Sequence, residues 1–381
     1  MNNGKSISSD EILNRQSIDF ANRLSKRYKH LRKWAKRTDI HAFRLYDKDI
    51  PEIPLAVDVY QEFQAEQGED NTGFYAHIAL YERPYEKDQK QEEQWIDTMA
   101  EAVRTVLDIP KKNIFIKQRK KQRGETSQYE KFAASKHCIT VEEQGLKFIV
   151  NLSDYLDTGL FFDHRPLRLA VKNECRGKHV LNLFCYTGAF SVYAAKGGAA
   201  SVDSVDLSHT YLEWAKKNFS INNIDISQIA DCGGKTVDKY RFIQEDAVKF
   251  IKSAANADTS KALRCRWDII ILDPPTFSNS KRLKDVFDIN RDWPELVNAA
   301  LKTLNPGGVI YFSTNSAKLK MNEALVSGIV TDITDSTIPE DFRNKRIHRC
   351  WKIQNFPETA GKPRPESAKN YSSSDTQIVY Y

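Results

Sequence analysis

Apolar positions near the N-terminus recur every three or four residues, which predicts an amphipathic helix. They are Phe20, Leu24, Tyr28, Leu31 and Ala35. Asp10 precedes this run and is the expected N-cap, because a short acidic side chain can accept hydrogen bonds from the first free backbone N–H groups. We therefore assign residues 1–39 to an N-terminal amphipathic helix.

Between residue 40 and about residue 155 the pattern changes to short runs rich in aromatic and β-branched residues, which are typical of strands. Strands are predicted at Phe43–Tyr46, Leu55–Phe63, Phe74–Tyr81, Ile114–Lys117, Cys138–Val141 and Leu146–Asn151. One helix, roughly Gln91–Leu107, follows the third strand. Strands on both sides of one helix predict a small α+β domain over residues 40–155.

From about residue 156 onwards short apolar strands alternate with helices. The strands are predicted at His179–Phe184, Ser201–Leu207, Arg241–Gln244, Trp267–Leu272 and Val309–Ser313. This alternation predicts a parallel sheet covered on both faces, that is, a doubly wound α/β domain over residues 156–356. The residues after Phe356 are rich in Pro, Ser and charge, which predicts a disordered tail over 357–381.

Composition narrows the class of protein. A length of 381 residues suits two domains, and an apolar fraction of 40% excludes a wholly disordered chain. The longest apolar runs, such as Ile269–Leu272, are far shorter than the roughly 20 residues that a membrane-spanning helix needs. Because the segment after Met1 also lacks the apolar core of a signal peptide, we expect a cytoplasmic protein without a membrane partner.

The six cysteines are scattered along the chain, and no two of them form a C-x-x-C pair. Such spacing argues against a disulfide framework and against a zinc site, so no metal is expected. Free thiols in a reducing compartment are the expected state.

Basic residues outnumber acidic ones by 57 to 51, and the surplus is concentrated in two places. Nine basic residues and one acidic residue lie between Arg15 and Arg37, which gives the N-terminal helix a basic outer face; a merely solvated face is an equal alternative there. The second cluster is KQRKKQRG, at Lys117–Gly124. It contains the candidate nucleic-acid-binding residues Lys117, Arg119, Lys120, Lys121 and Arg123. Basic side chains on a glycine-containing loop suit phosphate contacts, which favours a nucleic acid as partner.

Ligands of open α/β sheets bind beyond the carboxyl ends of the strands. The first strand of the α/β domain runs into NLFCYTGA, Asn182–Ala189, where Gly188 allows a tight turn. A dinucleotide fingerprint and a P-loop are both absent from the chain. A single glycine is a weak signal, and a purely structural turn is the alternative.

Acidic residues end the next three strands of this domain. Asp206 follows the second strand and is placed to accept both hydroxyls of a ribose, in a nucleotide or in an adenosyl group. Asp246 follows the third strand and can accept an exocyclic adenine amine. Asp273 opens DPPTF after the fourth, where two prolines predict a rigid loop at the sheet edge. Any one of the three can be a helix cap, but three in succession favour a ligand site.

These four segments resemble the motifs of a class I S-adenosylmethionine-dependent methyltransferase, whose domain is Rossmann-like. Longer segments resemble, more closely, the guanine-N7 methyltransferase module of bacterial 23S rRNA, and the likeness extends from the basic helix to Asn355. These segments are YLDTGLFFDHRPLR, NLFCYTGAFSVYAAKGGA, VDLSHTYLEWAKKN, DPPTFSNSKR and RIHRCW. In many bacteria this module is the C-terminal half of a bifunctional enzyme whose other half carries a THUMP domain and a guanine-N2 methyltransferase. Because this sequence resembles only the N7 module and not the other half, the resemblance implies N7 activity alone. A separate guanine-N2 methyltransferase is then an optional partner.

The resemblance implies S-adenosylmethionine as cofactor and 23S rRNA, or a large-subunit assembly precursor, as substrate. It also implies that the small α+β domain over residues 40–155 is a substrate-binding domain. The cofactor-binding residues it implies are Asp163, Arg165, Asn182, Phe184, Tyr186, Thr187, Gly188, Asp206, Leu207, Ser208, Asp246, Ala247 and Asp273. The transfer site would comprise Asp273, Pro274, Pro275 and Phe277, and further RNA contacts would come from Lys281 and Arg282. Asp163 or Arg165 is expected to pair with the methionine end of the cofactor. For His164 a structural role is expected rather than that of a general base, and for Phe277 base stacking rather than a place in the core.

Related enzymes that methylate carbon 5 of cytosine need a cysteine just after the fifth strand, because that carbon is a poor nucleophile. Here the position reads FSTNS, Phe312–Ser316, without cysteine. Guanine N7 carries an exposed lone pair and needs no nucleophile, so we expect direct in-line transfer to a base taken out of its stack. The alternatives are another base position, either cytosine C5 or an exocyclic amine, and a non-catalytic RNA-binding assembly factor with this fold.

Overall fold

A computed structural model describes residues 8–63, 73–82, 88–119, 137–232, 235–257, 266–278 and 287–356. Helix α1 covers Ser9–Thr38 and begins at a capping box, in which Ser8 accepts from the Glu11 N–H and the Glu11 side chain accepts from the Ser8 N–H. The N-cap is therefore Ser8 and not Asp10, because Ser8 has a glutamate three residues later that completes the reciprocal pair. No described helix is long and apolar enough to span a membrane.

The first half of the chain is a four-stranded sheet covered by two helices. The strands are β1 Ala42–Asp47, β2 Leu55–Gln61, β3 Phe74–Tyr81 and β4 Ile114–Arg119, and helix α2 is Gln89–Leu107. Strands β1, β2 and β3 are antiparallel, whereas β4 returns through α2 to lie parallel to β3. Phe20, Leu24 and Leu31 of α1 are fully buried in the same core as this sheet. The basic helix is thus an integral layer of this half.

A β-hairpin joins the two halves. It consists of β5 Cys138–Glu143 and β6 Leu146–Asn151. The sequence pattern places this hairpin in the small α+β domain, but its buried Val141 and Phe148 share a core with Val180 and Val202 of the large sheet. Side chains of the large half also bond its backbone, since Trp214 Nε1 donates to the Ile149 carbonyl at 3.0 Å. The hairpin also pairs with the first half, through the bridges Ile40–Glu143 and Glu62–Val141, so it connects the two halves.

The second half is built on a seven-stranded sheet. Its strands are β7 His179–Leu183, β8 Ser201–Asp206, β11 Tyr240–Gln244, β12 Trp267–Leu272, β15 Leu304–Thr314, β16 Ile329–Asp332 and β17 Arg349–Gln354. Their spatial order is β11-β8-β7-β12-β15-β17-β16. The first five in spatial order are parallel, and β17 runs antiparallel to both of its neighbours. This confirms the predicted α/β class.

Both faces of this sheet are buried, as the alternation along β12 shows. Ile269 and Ile271 lie in one apolar core, and Ile270 and Leu272 lie in the other. The covering helices are α3 Arg165–Glu174, α4 Ala189–Lys196, α5 His209–Ile221, α6 Ala247–Asn256, α7 Ile289–Leu301 and α8 Thr334–Thr337. Two further strand pairs are β9 Ile229–Cys232 with β10 Lys235–Asp238, and β13 Phe277–Ser278 with β14 Phe287–Asp288.

The strand order reverses between β7 and β12, because β8 and β11 lie on one side of β7 and β12 and β15 on the other. Loops that leave the carboxyl ends of β7 and β12 therefore diverge to opposite faces and open a crevice between them. In doubly wound sheets ligands bind at this switch point.

Candidate active site

A cavity of about 240 Å³ lies at this switch point. Twelve of the residues that the sequence motifs single out for the cofactor or the transfer site line it. They are Asp163, Asn182, Phe184, Tyr186, Thr187, Asp206, Leu207, Asp246, Ala247, Asp273, Pro274 and Pro275. Loops from four separate strands thus converge on one pocket.

The loop after β7 forms one wall of the cavity. Its backbone turns sharply, with φ of 56° at Phe184, 51° at Tyr186 and 75° at Gly188. A side chain is strained in this left-handed region, which concentrates at ligand sites because the surrounding fold must hold it there. A Cβ on Gly188 would also lie 2.7 Å from Cβ of Ala215 on α5. Gly188 is therefore required for close packing on α5 and is not itself part of the cavity wall.

Asp206 ends β8 and lines the cavity beside this loop. The Tyr186 N–H donates to its Oδ2 and the Ser208 N–H to its Oδ1, both at 2.9 Å. Burial raises its pKa to about 6, although these backbone donors favour the ionised form. Each carboxylate oxygen retains a second lone pair, so the pair can accept two neighbouring hydroxyls of a ribose. Ser208 serves the fold instead, as the N-cap of α5.

Asp246 combines both roles that its sequence position allows. It is the N-cap of α6, and its Oδ1 accepts from the N–H groups of Val248 at 2.8 Å and Lys249 at 3.0 Å. It also lines the cavity, together with Ala247 and Val248. Because both capping bonds use Oδ1, Oδ2 is available to accept an amine.

Asp273 follows β12 at the other side of the cavity. The Ser313 hydroxyl donates to its Oδ1 at 2.6 Å, and His164 Nε2 lies 3.1 Å from its Oδ2. Burial alone would raise the pKa of Asp273, but the charge and hydrogen bond of His164 outweigh it and the pKa is lowered. The carboxylate is thus ionised and held at both oxygens.

His164 is held in a cluster of titratable groups. Its ring stacks on His348 with centroids 4.5 Å apart, and His348 Nδ1 lies 3.0 Å from Asp163 Oδ2. Burial lowers the pKa of His164, yet the charges of Asp273 and Asp163 outweigh burial and raise it to about 9. Nε2 therefore donates to Asp273, and Nδ1 is buried without a partner in the described structure. This arrangement fits a positioning role and not a general base.

The Asp163, His164 and His348 ligand atoms lie within 4.8 Å of one another, a spacing that a metal ion can use. His348 is, however, bonded at both ring nitrogens, to Asp163 and to Thr337 Oγ1 at 2.9 Å. Hydrogen bonds therefore account for the cluster without an ion. Sequence reasoning missed His348, although it stands in the RIHRCW segment.

Arg165 does not reach the cofactor site, contrary to the expectation from the motif. Its guanidinium is buried and donates to Glu143 Oε2 at 2.7 Å, to Asp341 Oδ1 at 3.0 Å and to the Ala42 carbonyl at 2.8 Å. The next basic residue, Arg168, lines the cavity and also bonds Glu143. Arg165 is therefore a clamp between the two halves, since Ala42 belongs to β1 and Asp341 to the C-terminal segment.

The candidate RNA-binding residues are placed only in part. Lys117 is half-buried, and its Nζ donates to the Tyr155 carbonyl, so it does not project freely toward a phosphate. Phe277 pairs through its backbone with Asp288. The side chains of Arg119 and Phe277, and the residues Lys120, Lys121, Arg123, Lys281 and Arg282, lie outside the described structure and remain predictions.

Two exposed side chains in the cavity wall were not anticipated from the sequence. Phe161 is 44% exposed and contacts the Tyr186 ring at 5.3 Å, and Tyr186 in turn contacts Tyr211 edge-on at 4.5 Å. Asn315 follows β15 and accepts from the Thr276 hydroxyl at 2.8 Å. Neither residue type has a pattern that would mark it out in a single sequence.

The pocket offers the groups that an adenosyl cofactor needs. The two carboxylate oxygens of Asp206 can accept from the ribose, and Asp246 can accept from the adenine amine. Phe184, Leu207 and Val248 supply an apolar lining. The profile of the S-adenosylmethionine-dependent methyltransferase family matches residues 111–327, more than half of the chain. The chain therefore belongs to this family, and S-adenosylmethionine is its cofactor.

Individual relatives indicate which kind of methyltransferase this chain is similar to. Ribosomal RNA large subunit methyltransferase K of Neisseria meningitidis serogroup B is 43% identical over 337 residues, which are 88% of this chain and 86% of that protein. Ribosomal RNA large subunit methyltransferase K/L of Pseudomonas fluorescens is 44% identical over 88% of this chain, but the match covers only 40% of that longer protein. SMU.776, described as a methyltransferase and crystallised with SAH, shares the fold with a TM-score of 0.63 at 23% identity, covering 88% of this chain and 81% of that chain.

Proposed function

We propose that the protein methylates guanine N7 in 23S rRNA. The supporting observation is the state of the cysteines near the cavity. Cys185 lines the cavity, and burial raises its pKa well above its usual value. Cys350, near Asp273, is likewise buried and has a raised pKa. Neither is a thiolate, so the covalent route to cytosine C5 has no nucleophile in the described site.

Direct transfer asks the protein chiefly for positioning. The cofactor supplies a sulfonium-bound methyl group, and attack by guanine N7 breaks the carbon–sulfur bond and leaves the positive charge on the base. Asp206 and Asp246 would fix the adenosyl part, so that the methyl group can lie about 3–3.5 Å from N7 in line with the breaking bond. Asp273, Pro274 and Pro275 would line the transfer site.

The charges in the site also favour methylation of a ring nitrogen, because the methylated base becomes positively charged. Asp273 and Asp163 are both ionised, because His164 and His348 lower their pKa values despite burial. Preorganised carboxylates stabilise positive charge that develops near them in a partly desolvated site. The attacking lone pair of N7 carries no proton, so this chemistry does not require Asp273, which is held by Ser313 and His164, to act as a base.

An RNA substrate is supported by the outer face of α1. Lys26, Lys29, Lys33, Lys36 and Arg37, which we call the basic stripe, are all exposed. None of them has an ion-pair partner among the described residues. In contrast, the inward-facing Arg27 donates to the carbonyls of Leu45 at 2.7 Å and Asp341 at 2.8 Å. Unpaired cations along one helix face suit a phosphate backbone.

The test is methyl transfer by the purified chain to 23S rRNA and to large-subunit precursor particles. Nuclease digestion and mass spectrometry should find 7-methylguanosine, and Asp206→Ala should lose transfer because it loses the ribose contact. Methyl groups on cytosine C5 or on an exocyclic amine would refute the proposal. Absence of transfer with both substrates would favour the non-catalytic assembly factor, and transfer by the chain alone would make a separate guanine-N2 methyltransferase partner unnecessary.

A further inference from the structure

Asn315 lies at the end of the cavity opposite the ribose site. It follows β15, which pairs with β12 in a register that sets Phe312 beside Leu272, so Asn315 stands next to the loop that begins at Asp273. Asp206, in contrast, ends β8. Two strands, β7 and β12, separate β8 from β15, which corresponds to about 14 Å across the sheet. If the adenosyl part is held at Asp206, Asn315 lies on the side where the base must enter.

The side chain of Asn315 is exposed but oriented. The Thr276 hydroxyl donates to its Oδ1 at 2.8 Å. The following residue is fixed as well, because the Ser316 hydroxyl donates to Asn290 Oδ1 at 2.7 Å and its N–H to Thr314 Oγ1 at 3.1 Å. With Oδ1 engaged, the Nδ2 amide presents two N–H donors that have no partner in the described structure.

We propose that Asn315 donates from Nδ2 to O6 of the target base and thereby selects guanine over adenine. This inference rests on guanine N7 as the target. O6 is the neighbour of N7 on the same edge of guanine and is an acceptor, whereas adenine carries an amine donor at this position. A donor beside the transfer site therefore matches guanine and opposes adenine.

Other polar groups in this part of the cavity do not offer a comparable donor. Asp273 is an ionised carboxylate and only accepts, His164 Nε2 is engaged with it, and His164 Nδ1 is buried. Arg168 is engaged with the Phe161 carbonyl and with Glu143. Asn315 is exposed and lies outside the apolar cores, and its amide is oriented by Thr276, which fits a role in recognition. Thr276 is a positioning residue here, because it acts on the base only through the Asn315 amide.

The decisive experiment changes the donor and the acceptor together. Target RNA is prepared with guanine or with 2,6-diaminopurine at the methylated position, which keeps N7 and replaces O6 by an amine. The wild type should prefer guanine by about ten- to a hundredfold in single-turnover rate, in the range of one good base contact. Asn315→Asp, which only accepts, should lose guanine activity by a similar factor and shift the preference toward 2,6-diaminopurine. Asn315→Ala should methylate both bases at similar low rates.

Controls separate recognition from folding and from cofactor binding. Thr276→Val removes the hydroxyl that orients the Asn315 amide and should weaken the guanine preference. Thr276→Ser keeps a hydroxyl and should keep the preference. Asn14→Asp, at an exposed position of α1, should match the wild type. An unchanged preference in Asn315→Asp, or a loss explained by weaker S-adenosylmethionine binding in calorimetry, would overturn the inference. Failure of the N7 proposal is seen separately, as a wild-type product other than 7-methylguanosine.

Discussion

The buried carboxylate of Asp206 links cofactor binding to pH. Its pKa is raised from 3.8 to about 6 by burial, and the expected contact with the ribose hydroxyls needs the ionised form. A carboxyl group with a raised folded-state pKa holds its proton more tightly in the fold than in the unfolded chain. It therefore favours the folded state in acid, and this contribution is lost as the pH rises through 6. The affinity for the cofactor has the opposite pH dependence, because it needs the ionised carboxylate and therefore weakens as the pH falls through 6.

The magnitude follows from the ionised fraction. With a pKa of about 6, about nine tenths of Asp206 is ionised at pH 7 and about one tenth at pH 5. The dissociation constant for the cofactor should thus rise about tenfold over this interval, which is about 1.4 kcal/mol of binding free energy. The rise of the Asp206 pKa from 3.8 to about 6 also has a cost for the ligand-free protein. Its free energy of unfolding should fall by about 3 kcal/mol between acid and neutral pH.

Calorimetric titration with S-adenosylhomocysteine at pH 5, 6, 7 and 8 measures the effect. Asp206→Asn keeps the size of the side chain and removes its titration, so its binding should be weak and nearly independent of pH. Constant wild-type affinity between pH 7 and pH 5 would refute the assignment of Asp206 as the ionised ribose acceptor. An equal pH dependence in Asp206→Asn would assign the titration to another group.

Two further predictions concern the clamp and the basic stripe. Arg165→Met leaves the buried Asp341 carboxylate without its ion pair, whereas Glu143 keeps Arg168, and the change should cost about 3–5 kcal/mol of unfolding free energy in urea denaturation. A loss below about 1 kcal/mol would show that the clamp is dispensable. Reversal of Lys29, Lys33 and Lys36 to Glu should weaken RNA binding and reduce the slope of log Kd against log salt by about 2, at about 0.7 per phosphate contact on a single strand. Arg15→Glu, a single reversal on the same helix but outside the stripe, is the control and should change the slope by about 0.7 or less. An unchanged slope in the triple variant would identify the stripe as a solvated face.

The position of the cavity was predictable from the sequence, because the ends of parallel strands lie together at one edge of the sheet. Asp206, Asp246 and Asp273 are far apart along the chain, yet the carboxyl ends of parallel strands share one edge of a sheet. Reading each end of a predicted strand therefore located the cavity. The same reasoning could not anticipate Ser313 as the partner of Asp273, because a side-chain hydrogen bond between neighbouring strands depends on register.

Adjacent residues in a motif can face different parts of the molecule, and here the sequence misled. Asp163 and His164 face the cavity, whereas Arg165 begins α3 and turns to Glu143 and Asp341. Its partner Asp341 lies 176 residues away, so no local pattern announces it. The hairpin over residues 138–151 shows the same limit: its strands were predictable from local pairing, but not the core against which they pack.

The Arg165 clamp has a consequence for how a nucleotide is chosen. The Asp341 carboxylate accepts from Arg165 and its carbonyl accepts from Arg27 of α1, so hydrogen bonds connect the helix that carries the basic stripe with the residue that follows His164. The distance between the surface that would grip the RNA backbone and the pocket that would receive the base is then a fixed property of the protein. Under the proposed function, this distance would select, among chemically identical guanines, the one that lies at the matching span from the bound RNA backbone.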